Sequence, residues 1–303
     1  MYIENLVTAA FGAILAGPLV IKLYAPLNDL LLYGKTTGNK RNKSNGGDGG
    51  VITETVEQLE SITVPKSWFS HYYVFYLVTT LFLKWTLVNN KPVVDFVYLL
   101  MNPLRIILPL KYKNYLLINH LILLQAIRRT GESFFVTRFG KGSRINFLHY
   151  LVGISFYALV SFNNFLSLVP YYHAGLNTKI DIRNHLHYKD YILVGIFVGV
   201  SMWQFVSHQH LATLRKYTLP NFKYISSPHY TSEMAIYLLM FLISVKNVAK
   251  AEIKRDNITI NYLMAFAFVF TNLSISALET HKYYRQRFGY QYSLQWAVLP
   301  GVL

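Results

Sequence analysis

Apolar stretches of about 15 to 23 residues, most with at most one or two charges, recur along the whole chain. Few features constrain a fold more. A helix needs about 20 apolar residues to cross the hydrocarbon core of a bilayer, where every backbone N–H and C=O must find its partner within the protein. Seven candidate spans result: Ile3 to Leu23, Tyr72 to Val88, Tyr115 to Ile127, Phe147 to Val169, Tyr191 to Val206, Met234 to Val248 and Ile260 to Leu278. Composition agrees, since 53% of the 303 residues are apolar and 14% are charged, where a soluble domain carries about a quarter charged. The expected fold is an all-α integral membrane protein with about seven transmembrane helices, a single polytopic domain over residues 1–303. The first span lacks the basic start of a signal peptide and carries Glu4, so it reads as a retained helix. The third is short. The apolar stretch Val93 to Leu110 before it, interrupted by Pro103, Arg105 and Pro109, reads as interfacial or re-entrant. Residues 35–63 open with KTTGNKRNKSNGGDGG, which cannot bury a core, and read as a mobile polar loop.

Charge sets an orientation and removes several functions. Lys and Arg outnumber Asp and Glu 29 to 14, a net charge of +15. On a membrane chain such an excess marks cytosolic loops or anionic ligands before nucleic acid, and no RNA or DNA motif is present. Sixteen basic residues fall in loops on one side and ten on the other, which places the N-terminus in the lumen and the C-terminus in the cytosol. The glycosylation sequons at Asn42 and Asn257 then face the cytosol and the lumen respectively. Without cysteine there is no disulfide, thiolate metal site or cysteine nucleophile. His185 with His187, and His208 with His210, are His-x-His pairs that a helix points to opposite sides, so no metal is expected. FGKGS lacks the earlier glycine of a Walker loop, and no GxGxxG occurs.

Four segments carry polar groups that a membrane helix would not turn toward lipid. In WQFVSHQHLATLR, Gln204, His208 and Arg215 fall close to one stripe of a continuing helix. In YISSPHYTSE, Ser226 or Ser227 can cap a helix starting at Pro228, where a missing N–H costs nothing. His229 and Glu233 then share a face, and the first turn offers free N–H groups to a phosphate. In LETHKYYRQRF, His281, Tyr284 and Arg285 lie within one turn, with Phe288 beneath. In QAIRRTGESFF, Arg128 and Glu132 read as a surface ion pair, leaving Arg129 free for an anion. Each group also has an ordinary use, as an interfacial hydrogen bonder, an ion pair or an aromatic belt of the kind Tyr290 and Tyr292 fit. Their coincidence on one expected cytosolic face points further, to a shared site for a polyanion such as a nucleotide.

YGKT (Tyr33 to Thr36), VPKSWFSHYY (Val64 to Tyr73), HQHLATLRK (His208 to Lys216), YISSPHYTSE (Tyr224 to Glu233) and SALETHKYYRQRF (Ser276 to Phe288) resemble, in order, the polyprenol reductase branch of the steroid 5α-reductase family. That resemblance, and not composition, implies a seven-helix endoplasmic reticulum protein that uses NADPH to saturate the α-isoprene unit of a polyprenoid lipid, on the route to dolichol for protein glycosylation. It implies a cofactor-binding region over residues 204–303. Arg129, His208, Arg215, Tyr224, His229, Glu233, His281 and Tyr284 match the family's cofactor-contacting positions, with Arg129 or Arg215 available to the 2′-phosphate that separates NADPH from NADH. His71 falls where steroid reductases place a substrate-carbonyl glutamate. His71, Tyr72 or Tyr73 would then bind the oxygen on which charge develops as hydride reaches the β-carbon. Two positions depart from the family: Ala126 stands where a tyrosine is usual, and Gln295-Trp296 where Arg-Lys precedes alanine. Because a free allylic alcohol offers hydride no electron sink, polyprenal is the expected substrate rather than polyprenol. An isoprenylcysteine-type methyltransferase using S-adenosylmethionine resembles the C-terminal third, but YGKT and FSHYY speak against it. A small transporter would need polar groups spread through the spans, whereas these cluster at one face.

Overall fold

The computed structural model describes residues 2–23, 58–59, 61–101, 109–140, 142–175, 186–214, 218–246 and 256–301. Among them lie eight α-helices: α1 (Ile3–Leu23), α2 (Phe69–Asn89), α3 (Lys91–Leu100), α4 (Pro109–Phe135), α5 (Phe147–His173), α6 (Tyr188–Thr213), α7 (Pro228–Val245) and α8 (Asn257–Phe288). The chain is an all-α, multi-pass membrane protein. Every expected span overlaps a helix, and among the described residues length and hydropathy mark four of them as crossings, α1, α5, α6 and α8. Polar side chains that turn inward, such as Asn114, Asn119 and Gln125 of α4 and Ser232 of α7, lower the hydropathy of the others. The same inward groups explain why α4 runs 27 residues where the sequence suggested a short span.

The stretch Val93 to Leu110 begins as α3, and its residues 102–108, with Pro103 and Arg105, lie outside the described residues. The Asn90 side chain starts α3 by accepting from the Val93 N–H at 3.3 Å. Val94 and Val97 face the bundle while Phe96 and Leu99 face outward, as suits a short amphipathic helix at a membrane interface. Most of the polar loop 35–63 and the YGKT segment also lie outside the described residues.

α5 is the central helix: 61% of its most apolar window is buried, against 22% for α6. It touches α1, α2, α3, α4 and α8, while α7 is flanked by α6 and α8. The apolar side chains on outer faces, among them Val78, Phe82 and Trp85 of α2 and Ile196, Met202 and Val206 of α6, meet lipid instead of water. Close approach of α2 and α5 depends on Gly153, where a Cβ would stand 2.7 Å from the Tyr72 ring. A short antiparallel pair, β1 (Thr63–Pro65) with β2 (Arg144–Asn146), joins the segments just before these two helices and sets their starts side by side.

At the far end of the bundle the helices are tied by amides. Thr8 Oγ1 donates to Asn261 Oδ1 (2.7 Å), Asn261 Nδ2 to Asn163 Oδ1 (2.9 Å), and the Tyr115 hydroxyl to Asp256 Oδ2 (2.6 Å). A buried amide in a bilayer has no water to fall back on, so these bonds fix which faces of α1, α4, α5 and α8 meet.

Candidate active site

α4 presents Gln125, Arg128, Arg129 and Glu132 at helical spacing, which puts all four on one face. That face meets Tyr73 of α2, Gln204 and His208 of α6, and Glu233 of α7. Arg129 is the hub. Its Nη1 donates to Glu132 Oε2 (2.5 Å), its Nη2 donates to the Tyr73 hydroxyl, and its Nε lies 3.9 Å from Glu233 Oε2. The guanidinium carbon stands 4.4 Å from the centre of the Tyr73 ring, a cation–π contact that holds the phenol in place.

Arg128 closes the second half. It donates to Glu132 Oε1, to Gln204 Oε1 and, at 2.7 Å, to Gln125 Oε1. The two glutamines pass the network on to α7, because Gln204 Nε2 donates to Glu233 Oε2 and to the His229 carbonyl (3.2 Å). His208 Nδ1 lies 2.8 Å from Glu132 Oε2 and 2.9 Å from Arg129 Nη1. One tautomer donates to the carboxylate and the other accepts from the guanidinium, so this nitrogen serves one partner at a time. The His208 ring meets that of His229 edge-on at 5.6 Å. Two guanidinium groups thus face two carboxylates, and the cluster is neutral before any histidine takes a proton. A buried ionic group is tolerated on such terms.

These contacts correct two expectations. Arg128 and Glu132 do pair, but not at the surface: the Glu132 side chain is 1% exposed. Arg129 is not left unpaired, since Glu132, Glu233, Tyr73 and His208 already hold it, and only its Nε lacks a hydrogen bond among the described residues. The stripe of α6 also ends early. The helix stops at Thr213 and Leu214 is extended, so Gln204 and His208 share the site while Arg215 lies outside the described residues.

The start of α7 at Pro228 is as expected, but Ser227 makes no side-chain cap. A strap formed by the chain's last residues covers it. Ile225 bridges Trp296, the Ser226 N–H donates to the Trp296 carbonyl (3.1 Å), the Ser227 N–H to Ala297 (3.1 Å), and Thr231 Oγ1 to Val298 (2.9 Å). The strap carries Tyr292, which is buried. Burial pushes its phenol above the ordinary value, and its hydroxyl shares a 2.6 Å hydrogen bond with His281 Nδ1. Tyr292 therefore belongs to no aromatic belt, and His281 is buried against it. Tyr284 packs beside Tyr292, with ring centres 5.6 Å apart.

The structure brings Tyr73, Arg129, His208, His229 and Glu233 into one network and sets His281 and Tyr284 in an adjoining group. Of the remaining three, Arg215 lies outside the described residues and two are not brought in. Tyr224 is 75% exposed. His71 is exposed on α2, packed against Trp68 (5.2 Å) with its Nδ1 3.3 Å from the Tyr150 hydroxyl. Gln125, Arg128 as an interior charge, Tyr292 and the strap escaped the sequence reading, and only the spacing of Gln125 from Arg128 and Arg129 hinted at the first. Among the described residues no three metal-ligating groups converge. The donor set suits an anionic or amide-bearing ligand, because Arg128 Nε, Arg129 Nε and Ser227 Oγ are buried without a hydrogen bond among the described residues.

The family model described as 3-oxo-5-alpha-steroid 4-dehydrogenase matches residues 148–303. The chain is 30% identical to the polyprenal reductase of Saccharomyces cerevisiae over 280 residues, covering 91% of this chain and 87% of the relative. It is 28% identical to that of Caenorhabditis elegans, covering 81% of each, and 26% identical to that of Homo sapiens, covering 87% and 82%.

Proposed function

The chain belongs to the 3-oxo-5-alpha-steroid 4-dehydrogenase family, on its polyprenal reductase branch, and we propose that it is an NADPH-dependent reductase of the α-isoprene double bond of a polyprenoid aldehyde. One observation carries the reading. A neutral, hydrogen-bonded cluster of Tyr73, Arg129, His208, His229 and Glu233 sits at one end of a bundle whose sheath is apolar. A lipid can present its head there while its tail stays in the membrane.

NADPH, when bound, supplies the hydride; His208, His229, Glu233, His281, Tyr284 and the unpaired nitrogens of the two arginines are the groups that would hold it, with Arg215 and Tyr224 as further contacts. Tyr73 accepts a hydrogen bond from Arg129, which leaves its own proton free. A phenol polarised by a guanidinium is a stronger donor to an oxygen that gains charge. Glu132 and Glu233 keep Arg129 aimed at that phenol, so the donor is organised before the substrate arrives. His71 is the alternative donor, reached from the exposed start of α2. The aldehyde follows from electron demand: charge moves onto a carbonyl oxygen as an enolate, while an allylic alcohol has no such sink.

The family's setting extends the proposal to dolichol synthesis for protein glycosylation, in the endoplasmic reticulum membrane with the C-terminus cytosolic. The basic residues of the alternate loops support this orientation. The test uses purified protein and NADPH with matched polyprenal and polyprenol, following NADPH loss and the saturated product by mass. Turnover of the aldehyde alone is expected. Efficient turnover of the alcohol without a partner dehydrogenase would overturn the substrate assignment.

A further inference from the structure

Two tyrosine hydroxyls in the core serve no purpose in the fold as described. Tyr76 of α2 is 0% exposed and Tyr237 of α7 is 2% exposed, and neither hydroxyl finds a hydrogen-bond partner among the described residues. A buried phenol without a partner is disfavoured relative to phenylalanine of the same shape, which loses nothing on leaving water. A single such group invites no comment; two together, packed against the adjacent residues Tyr157 and Phe156 of α5, do.

Their placement is not random. Tyr76 lies three residues beyond Tyr73 on α2, and Tyr237 four beyond Glu233 on α7, so they sit about 4.5 Å and about 6 Å deeper in the bundle than the ionic cluster. Each hydroxyl lies within electrostatic reach of the Glu233 carboxylate, and that of Tyr237 within reach of Tyr76 and Tyr73. Neighbouring rings hold them in place: Tyr157 packs on Tyr76 at 4.7 Å and Phe156 on Tyr237 at 5.4 Å.

We propose that Tyr76 and Tyr237 form a subsite that donates hydrogen bonds to the oxygen-bearing head of the isoprenoid substrate, positioning it beneath Tyr73 and Arg129. The proposal rests on the reading of this chain as a polyprenoid reductase. It adds to that reading a selection rule: an isoprenoid enters the core only if its head brings an acceptor for these two donors. A hydrocarbon of the same length brings none and leaves both hydroxyls unpaired.

The test compares wild type with Tyr76→Phe, Tyr237→Phe and the double variant, as full-length protein in lipid nanodiscs. Thermal unfolding without substrate is measured first, then binding of polyprenal and of the matching oxygen-free polyprene, then KM for polyprenal and for NADPH. The single variants are expected to unfold at or above the wild-type temperature, because a group with no partner is removed. In the double variant, the preference for aldehyde over hydrocarbon should fall by about 10-fold or more. KM for polyprenal should rise while that for NADPH stays within about two-fold. An unchanged preference overturns the subsite. So does earlier unfolding of both single variants, which would show that the hydroxyls have partners in the fold, such as buried water. If wild type binds polyprenal selectively but does not reduce it, the functional reading falls and the subsite is judged on binding alone.

Discussion

Glu132 is the residue on which the charge balance of the site turns. It accepts from Arg128 with one oxygen and from Arg129 with the other, and His208 Nδ1 approaches that second oxygen at 2.8 Å. Glu132→Gln keeps the shape and removes the charge, so the buried guanidinium of Arg129 and the partly buried one of Arg128 then face one carboxylate, Glu233. Breaking a buried ion pair from one side costs about 3–5 kcal/mol, because the charge left behind is uncompensated. For a chain of this size each kcal/mol moves the unfolding midpoint by roughly 2–4 °C, so a drop of roughly 6–20 °C is expected. Tryptophan fluorescence of the purified protein during heating reads it. Removing the excess charge with Arg128→Gln in the same chain should recover part of the loss, leaving the double variant about 0.5–3 kcal/mol more stable than additivity requires. A Glu132→Gln midpoint within about 2 °C of wild type, or strict additivity, would show that the carboxylate does not neutralise the two arginines.

Gly153→Ala places a methyl 2.7 Å from the Tyr72 ring. The resulting separation of α2 and α5 should lower stability by about 1–3 kcal/mol, read in the same heating assay. The Asn257 sequon should carry no glycan even though its loop is expected to be lumenal. Asn257 opens α8, and Thr259 is buried and bonded to Asp256 Oδ2 at 3.0 Å. A mobility shift removed by glycosidase would contradict both the helix start and the burial of Thr259.

The sequence by itself determined the membrane class, the approximate place of seven of the helices, though not their ends, and the start of α7. These follow from local chemistry: runs of apolar residues, a proline without an N–H at the first helical position, and polar residues repeating at helical spacing. The family was legible as well, because short motifs such as PHYTSE keep their residues in order along the chain. Which groups meet was decided only by the tertiary structure. Glu132 and His208 are 76 residues apart, Gln125 and Glu233 are 108 apart, and no periodicity relates them. The difference shows in Arg129, which looked free beside its neighbours in sequence and is in fact held from three other helices. It shows also in Tyr292, which reads as an interfacial aromatic until the C-terminal strap carries it under α7 and against His281. Burial in a low-dielectric interior makes an unpaired charge costly, and the partners come from whichever helices the packing brings near.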